Sequence, residues 1–120
     1  MALLIQTDWV PEPVLRGNSR VGWRGKAKPL RIARNVGYAE GLQWLSQNRN
    51  YESGLREQAI GLLIVADVNR RVDSDNLLIG YKPFIDGLAD AQIIPDDRHI
   101  EQIAIRVRVN GIERSTLFFY

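Results

Sequence analysis

Apolar residues recur along this chain with three different spacings. Residues 2–7, ALLIQT, are a short apolar run of strand length, and residues 9–13, WVPEP, leave it as a rigid exit. Residues 14–28 show no apolar period and are rich in Gly and Arg, the pattern of a long loop. Pro29 suits the first turn of a helix, and residues 30–47 continue it, with Ile32, Val36, Ala39 and Leu42 on a rough apolar side. Gly37 and Gly41 each weaken such a helix by about 1 kcal/mol relative to Ala, so they predict close packing on a sheet. Residues 47–57 are a polar connection. Residues 59–68, AIGLLIVADV, are continuously apolar, which predicts a central strand covered on both faces. Ile103, Ile105, Val107 and Val109 alternate with Gln102, Ala104, Arg106 and Arg108, as in a half-buried strand. Asn110-Gly111 then predicts a tight turn, with residues 112–119 returning antiparallel.

Between the apolar strand and this last pair the period changes to that of a helix. Asp75, Ile79, Lys82 and Asp86 are spaced by four, three and four, and so share one stripe. Leu77, Leu78, Tyr81, Phe84, Ile85 and Leu88 fall on the opposite side. Pro83 removes the hydrogen bond to Ile79, which leaves two arrangements open. Either the helix kinks, or residues 76–81 form a separate turn and the helix proper starts near Lys82. The order strand, helix, strand, helix, strand, strand predicts an α+β fold. It would be a single domain over residues 1–120, with two helices packed on one face of a mixed β-sheet and a C-terminal β-hairpin.

Composition narrows the classes of function. A 45% hydrophobic content over 120 residues is enough for one core and too little for two. The absence of cysteine excludes disulfides and thiolate metal sites, and fits a reducing cytoplasm. The apolar start lacks the positive flank and length of a secretory signal, and no apolar run approaches a membrane span. Net charge is only +2, yet its distribution is uneven. Residues 13–39 carry Arg16, Arg20, Arg24, Lys26, Lys28, Arg31 and Arg34 without one acid. Residues 70–97 carry Asp73, Asp75, Asp86, Asp90, Asp96 and Asp97, with Lys82 among them. A basic first third beside an acidic middle suits binding and cleavage of a polyanion.

The acidic stretch repels itself unless something positive sits in it. Asp73 and Asp75 are separated by one residue, so on an extended backbone both carboxylates point the same way and can grip one cation. Oxygen-only ligands favour Mg²⁺, or Mn²⁺ in its place. The same Asp-Ser-Asp-Asn run can also serve simply to leave a strand and cap the next helix. Asp96 and Asp97 are neighbours that face opposite ways when extended, so one of them can be a direct ligand while the other caps or orients water. Trp9 and Trp23 could offer rings for an unpaired base beside the cations, or could fold back on the core. Arg106 and Arg108 stand on the polar face of their strand, where solvation or DNA could take them. His99, the single histidine, is conceivable as a general base.

The run D-x-D-N-L at residues 73–77, Lys82-Pro83, Asp86-Gly87-Leu88 and the pair Asp96-Asp97 resemble the RusA-type endodeoxyribonucleases, which resolve Holliday junctions and are often found in phages and prophages. The likeness is carried by residues 70–97 and is topological elsewhere. It implies that Asp73, Asp75 and Asp97 bind a catalytic Mg²⁺ and that Lys82, four residues before Asp86, is the essential lysine. The spacing from Asp75 to Lys82 is longer than in the best-known member, by about one helical turn. The resemblance further implies a homodimer, suited to paired nicks on a two-fold symmetric junction, with the seven cations from Arg16 to Arg34 on DNA. Cleavage would be metal-assisted phosphodiester hydrolysis, with Lys82 offsetting charge on the phosphoryl oxygens. Two alternatives stay open: a protein that binds branched DNA without cutting it, and a Mg²⁺ nuclease for flaps or other branched DNA.

Overall fold

The computed structural model describes residues 3–51 and 60–120, without the side chain of Asp97. Residues 1–2 and 52–59, which take in much of the predicted polar connection and the first residue of each of the two apolar runs, lie outside the described residues. The elements are β1 (Leu3–Thr7), a 3₁₀ turn (Pro13–Leu15), α1 (Trp23–Gln47), β2 (Ile60–Val68), α2 (Ser74–Gly80), α3 (Lys82–Asp90), a 3₁₀ turn (Asp97–His99), β3 (Ile100–Val109) and β4 (Arg114–Phe119).

The four strands make one mixed sheet in the order β1-β4-β2-β3, with β2 and β3 parallel and both other pairs antiparallel. The fold is α+β, and its helices lie on one face of that sheet. Every second residue of β2, Leu62, Ile64, Ala66 and Val68, is buried there together with Leu3, Ile5, Leu117 and Phe119. Leu77, Tyr81, Phe84, Ile85 and Leu88, the apolar side of the predicted helix, close this core.

Three expectations need correction. Among the described residues the helices cover one face of β2 only: on the other, Leu63 is 37% exposed, beside half-open Phe118 and Leu4. A continuous apolar run cannot distinguish a face under helices from one left bare. Residues 112–119 also do not form a hairpin with the strand before them. β4 pairs with β1 and β2, so β2 lies between the last two strands. Asn110-Gly111 does turn the chain, with Gly111 at φ +79°, but the turn carries it across the end of β2, where the Asn110 N–H donates to the Val68 carbonyl at 3.2 Å. Local turn chemistry favours reversal and cannot specify which strand is met on the way back.

The third correction concerns the basic loop. α1 begins at Trp23, so Arg24, Lys26 and Lys28 are helical and Pro29 lies inside the helix rather than at its start. Residues 23–28 are exposed almost all round, which leaves no apolar period to read. The buried side of α1 is also one position off the prediction: Ala33, Gly37 and Gly41 are buried, while Ile32, Ala39 and Leu42 are exposed. Gly37 and Gly41 do permit close packing, but on a helix rather than a sheet. A Cβ at Gly37 would run into the Phe84 backbone, and one at Gly87 into that of Arg34. At Pro83 the second arrangement holds, because α2 stops at Gly80 and α3 starts at Lys82.

Candidate metal and nucleic-acid site

β2 delivers the chain from a buried strand into residues 69–73, and Asp73 stands at the N-cap of α2 with Asp75 in its first turn. Neither the Asp73 nor the Asp75 carboxylate takes a hydrogen bond or ion pair among the described residues, and both are exposed. The other described aspartates of the acidic stretch have partners. Lys82 Nζ sits 3.0 Å from Asp86 Oδ1, one turn along α3. Arg34 donates two hydrogen bonds to Asp90, at 2.6 and 2.8 Å. Asp96 accepts the Arg98 N–H at 2.9 Å and pairs with its guanidinium at 3.0 Å, the capping role expected of one member of the acidic pair.

Asp73 and Ser74 line a groove of about 530 Å³ whose other wall is Ile105, Val107 and Val109 of β3, with Arg71 at its rim. Farther along β3, Ile100 and Ile103 face Leu78, Ile79, Lys82 and Ile85. Since β2 and β3 are parallel, the start of β3 lies at the opposite end of the sheet from the exit of β2. Asp97 belongs to the turn immediately before that start. From Ile105 to Ile100 is five residues, about 16 Å of strand. The backbone of Asp97 is therefore set toward the Lys82 end of this line and away from Asp73. The Asp97 side chain lies outside the described residues, and among those described no three metal-ligating groups cluster. Asp73 and Asp75 are the oxygen donors of the stretch without a partner among the described residues, but the extended backbone expected across them is replaced by the start of α2, so Asp73 lines the groove and Asp75 does not. Lys82 lies beyond the break between α2 and α3.

The cations of residues 13–39 divide. Arg34 is held by Asp90, which that guanidinium keeps below the usual carboxylate range, and Arg16 donates to the Pro11 carbonyl at 3.2 Å. No ion pair engages Arg20, Lys26, Lys28 or Arg31 among the described residues. Lys26, Arg31 and Arg34 line a groove of about 580 Å³ with Lys82 and Asp86, over a floor of Leu15, Leu30, Ile79 and Pro83. Lys26 and Arg31, which no described acid offsets, beside the Arg34–Asp90 and Lys82–Asp86 pairs and over an apolar floor, can take a phosphate backbone with a base against it. The tryptophans part ways. Trp23 is 76% exposed beneath the Arg24 guanidinium, which lies 5.5 Å from its ring centre. Trp9 is a core residue, stacked on Phe84 at 5.0 Å and edge-on to Tyr81 at 5.7 Å.

Two polar clusters escaped the sequence reading. Asp67, buried in β2 on the face away from the helices, accepts two hydrogen bonds from Arg108 at 2.8 and 3.1 Å and one from Asn110 at 2.7 Å. Arg108 is thereby bound to the sheet, leaving Arg106 as the arginine of that strand without an ion pair among the described residues. A lone acid inside the run 59–68 was the available signal. The second cluster pins the break between α2 and α3. The Ser115 hydroxyl donates to the Trp9 carbonyl at 2.6 Å, so the Tyr81 hydroxyl donates to Ser115 Oγ, also at 2.6 Å.

An uncharacterized protein of Xylella fastidiosa (strain Temecula1 / ATCC 700964) is 34% identical to this chain over 104 residues, covering 82% of the chain. The chain spans 64% of the length of that relative. No family model matches the chain. Among the described residues no helix is long and apolar enough to cross a membrane.

Proposed function

We propose that this protein is a Mg²⁺-dependent, structure-selective endodeoxyribonuclease of the RusA type, resolving four-way DNA junctions by paired phosphodiester hydrolysis during recombination and repair. It would act in the cytoplasm, as a homodimer. The reading rests on one observation above the rest: of the described aspartates in residues 70–97, Asp73 and Asp75 alone lack a cationic or hydrogen-bonding partner. Two exposed carboxylates without partners at the start of one helix are open to a divalent cation. Asp73 and Asp75 hold the ion in this proposal, with Asp97 as third ligand. Bound there, Mg²⁺, or Mn²⁺ in its place, supplies polarisation of the scissile phosphate and an activated water. Lys82 offsets negative charge on the phosphoryl oxygens once released from Asp86, a pair exposed enough to exchange partners at small cost. Arg20, Lys26, Lys28 and Arg31 hold the flanking phosphates.

A labelled four-way junction, incubated with Mg²⁺, with chelator, and with the Asp75→Asn protein, tests this. Symmetric nicks should appear with wild type and metal only, and fall at least about a hundredfold for Asp75→Asn and for Lys82→Ala. Nicks that survive chelation would exclude the metal mechanism, and faster nicking of flaps would reassign the substrate. The offset between Asp97 and Asp73 along β3 favours a second reading, a domain that binds branched DNA without cutting it. Tight junction binding with no nicks in any tube would establish that reading. Calorimetric Mg²⁺ titration of Asp97→Asn separates the two independently of cleavage, since loss of Mg²⁺ binding requires Asp97 at the ion.

A further inference from the structure

On α1, residues 23, 26, 30, 33 and 37 follow one another by three or four and therefore lie along one side of the helix. Ala33 and Gly37 are buried on that side, where α1 packs on α3, and Lys26 and Leu30 line the basic groove beside Lys82. Trp23 continues the same line one turn farther, about 4.5 Å along the axis from Lys26, and is 76% exposed. The largest side chain on the packing side is thus the one left outside. Trp23 joins neither the core nor any ring pair among the described residues, and the Arg24 guanidinium lies over its ring, 5.5 Å from the centre. The other two tryptophans are engaged: Trp9 stacks on Phe84, while Trp44 lies edge-on to Tyr51 at 4.7 Å and donates its indole N–H to the Leu4 carbonyl at 3.0 Å. Along the neighbouring flank of α1, Arg24, Lys28 and Arg31 are spaced by four and three and form a row. All three are exposed, none has an ion pair among the described residues, and residues 13–39 contain no acid.

We propose that Trp23 is a stacking platform for an unpaired base of single-stranded DNA. The base lies on the indole face opposite the Arg24 guanidinium, and the phosphates next to it follow Lys28 and Arg31. This rests on the nucleic-acid half of the proposed function and not on cleavage. Three features select the ligand. A base has a flat π surface that stacks on an exposed indole whatever its identity. The phosphates that carry it supply the negative charge that an acid-free row of cations lacks. The line of Trp23 also leads into the basic groove, with Lys26 and Leu30 as its next members, so a strand anchored on the ring continues there. In a duplex the faces of each base are covered by its neighbours, and uncovering them costs unstacking. The platform therefore selects DNA with unpaired nucleotides. A lipid surface needs a broad apolar face, and Arg24, Gly25, Lys26 and Lys28 around Trp23 do not make one.

Binding of a short oligothymidylate and of an abasic oligomer of the same length, both in chelator so that nothing is cut, tests the assignment. The abasic oligomer keeps the phosphates and lacks the rings. Trp23→Ala should bind oligothymidylate about tenfold more weakly than wild type and the abasic oligomer equally well. Trp23→Phe, which keeps a ring, should recover most of the loss. Because no charge is removed, the slope of log K against log salt should be the same in Trp23→Ala as in wild type. Oligothymidylate should quench wild-type tryptophan emission and shield it from acrylamide, and do neither in Trp23→Ala, where Trp9 and Trp44 remain. Unchanged oligothymidylate affinity in Trp23→Ala, an equal loss for both oligomers, or no gain from phenylalanine would each overturn the proposal. So would emission that responds to vesicles of phosphatidylglycerol and phosphatidylcholine and not to oligothymidylate, which would assign the ring to lipid. Base-independent binding beside normal nicking of a four-way junction strikes the platform alone, whereas base-dependent binding without nicking strikes the nuclease alone.

Discussion

Asp67 is a carboxylate whose side chain is 2% exposed, inside an otherwise apolar strand, and it is tolerable there because Arg108 and Asn110 supply three hydrogen bonds. The Arg108 guanidinium hydrogen-bonded to it holds its carboxyl below the usual range, outweighing burial, with Asn110 adding to the effect. Its stabilisation is present above the ordinary value of 3.8 and is lost as pH falls through the lower folded value. Arg108→Ala should cost about 2 kcal/mol in a urea titration at neutral pH by leaving that acceptor short of donors. In Asp67→Asn the loss of stability on acidification should be shallower. Tyr81 has the opposite sign. Burial pushes its hydroxyl up to about 12 from 10.0, so the unfolded chain releases the proton first. Stability is fully present below pH 10 and declines by about 3 kcal/mol toward pH 12. Tyr81→Phe should lose about 1 kcal/mol at pH 7 and most of that alkaline decline. The acid inside the apolar run was visible in the sequence; its partner 41 residues away was not, because a salt bridge across parallel strands leaves no local trace.

The contact between α1 and α3 is made by glycines on both sides, with Gly37 under the Phe84 carbonyl and Gly87 under that of Arg34. Backbone meets backbone there, so neither partner can rotate away from an added methyl group. Gly37→Ala or Gly87→Ala should each destabilise by about 3 kcal/mol, at the upper end for overpacking, as read from thermal or denaturant midpoints. Glycines inside a helical pattern do signal close approach, but not what approaches. The same limit explains the misplaced apolar side of α1. With Gly and Ala at the contact, the larger residues Ile32 and Leu42 dominate a periodicity count although they face solvent. By contrast α3, whose apolar residues are large and are the buried ones, was legible from its period.

Across the whole molecule the basic and acidic thirds meet at one groove, where Lys26 and Arg31 of α1 face Lys82 and Asp86 of α3. If DNA lies there, affinity should fall steeply with salt. Removing Lys26, Lys28 and Arg31 together should then lower the slope of log K against log salt by roughly 0.9 for each phosphate no longer neutralised. An unchanged slope in a fluorescence-anisotropy titration would place the DNA elsewhere. The clustering of cations was legible from the sequence because charge is a property of composition. Their division was not: Arg34 is taken by Asp90, while Lys26 and Arg31 remain open to solvent and ligand.

What the chain alone determined is what local chemistry controls: the strand runs, the α3 face, an interruption of the helix at Pro83, and the segregation of charge. Each follows from neighbours within about one helical turn or one strand. Tertiary structure decided the rest, namely that β4 inserts between β1 and β2, that Leu63 of β2 is left exposed, that Asp67 is paired, that Asp97 sits toward the Lys82 end, and that among the described residues β3 ends the sheet. These depend on which strands become neighbours. That choice comes from burying the whole apolar surface at once, and no window of sequence contains it.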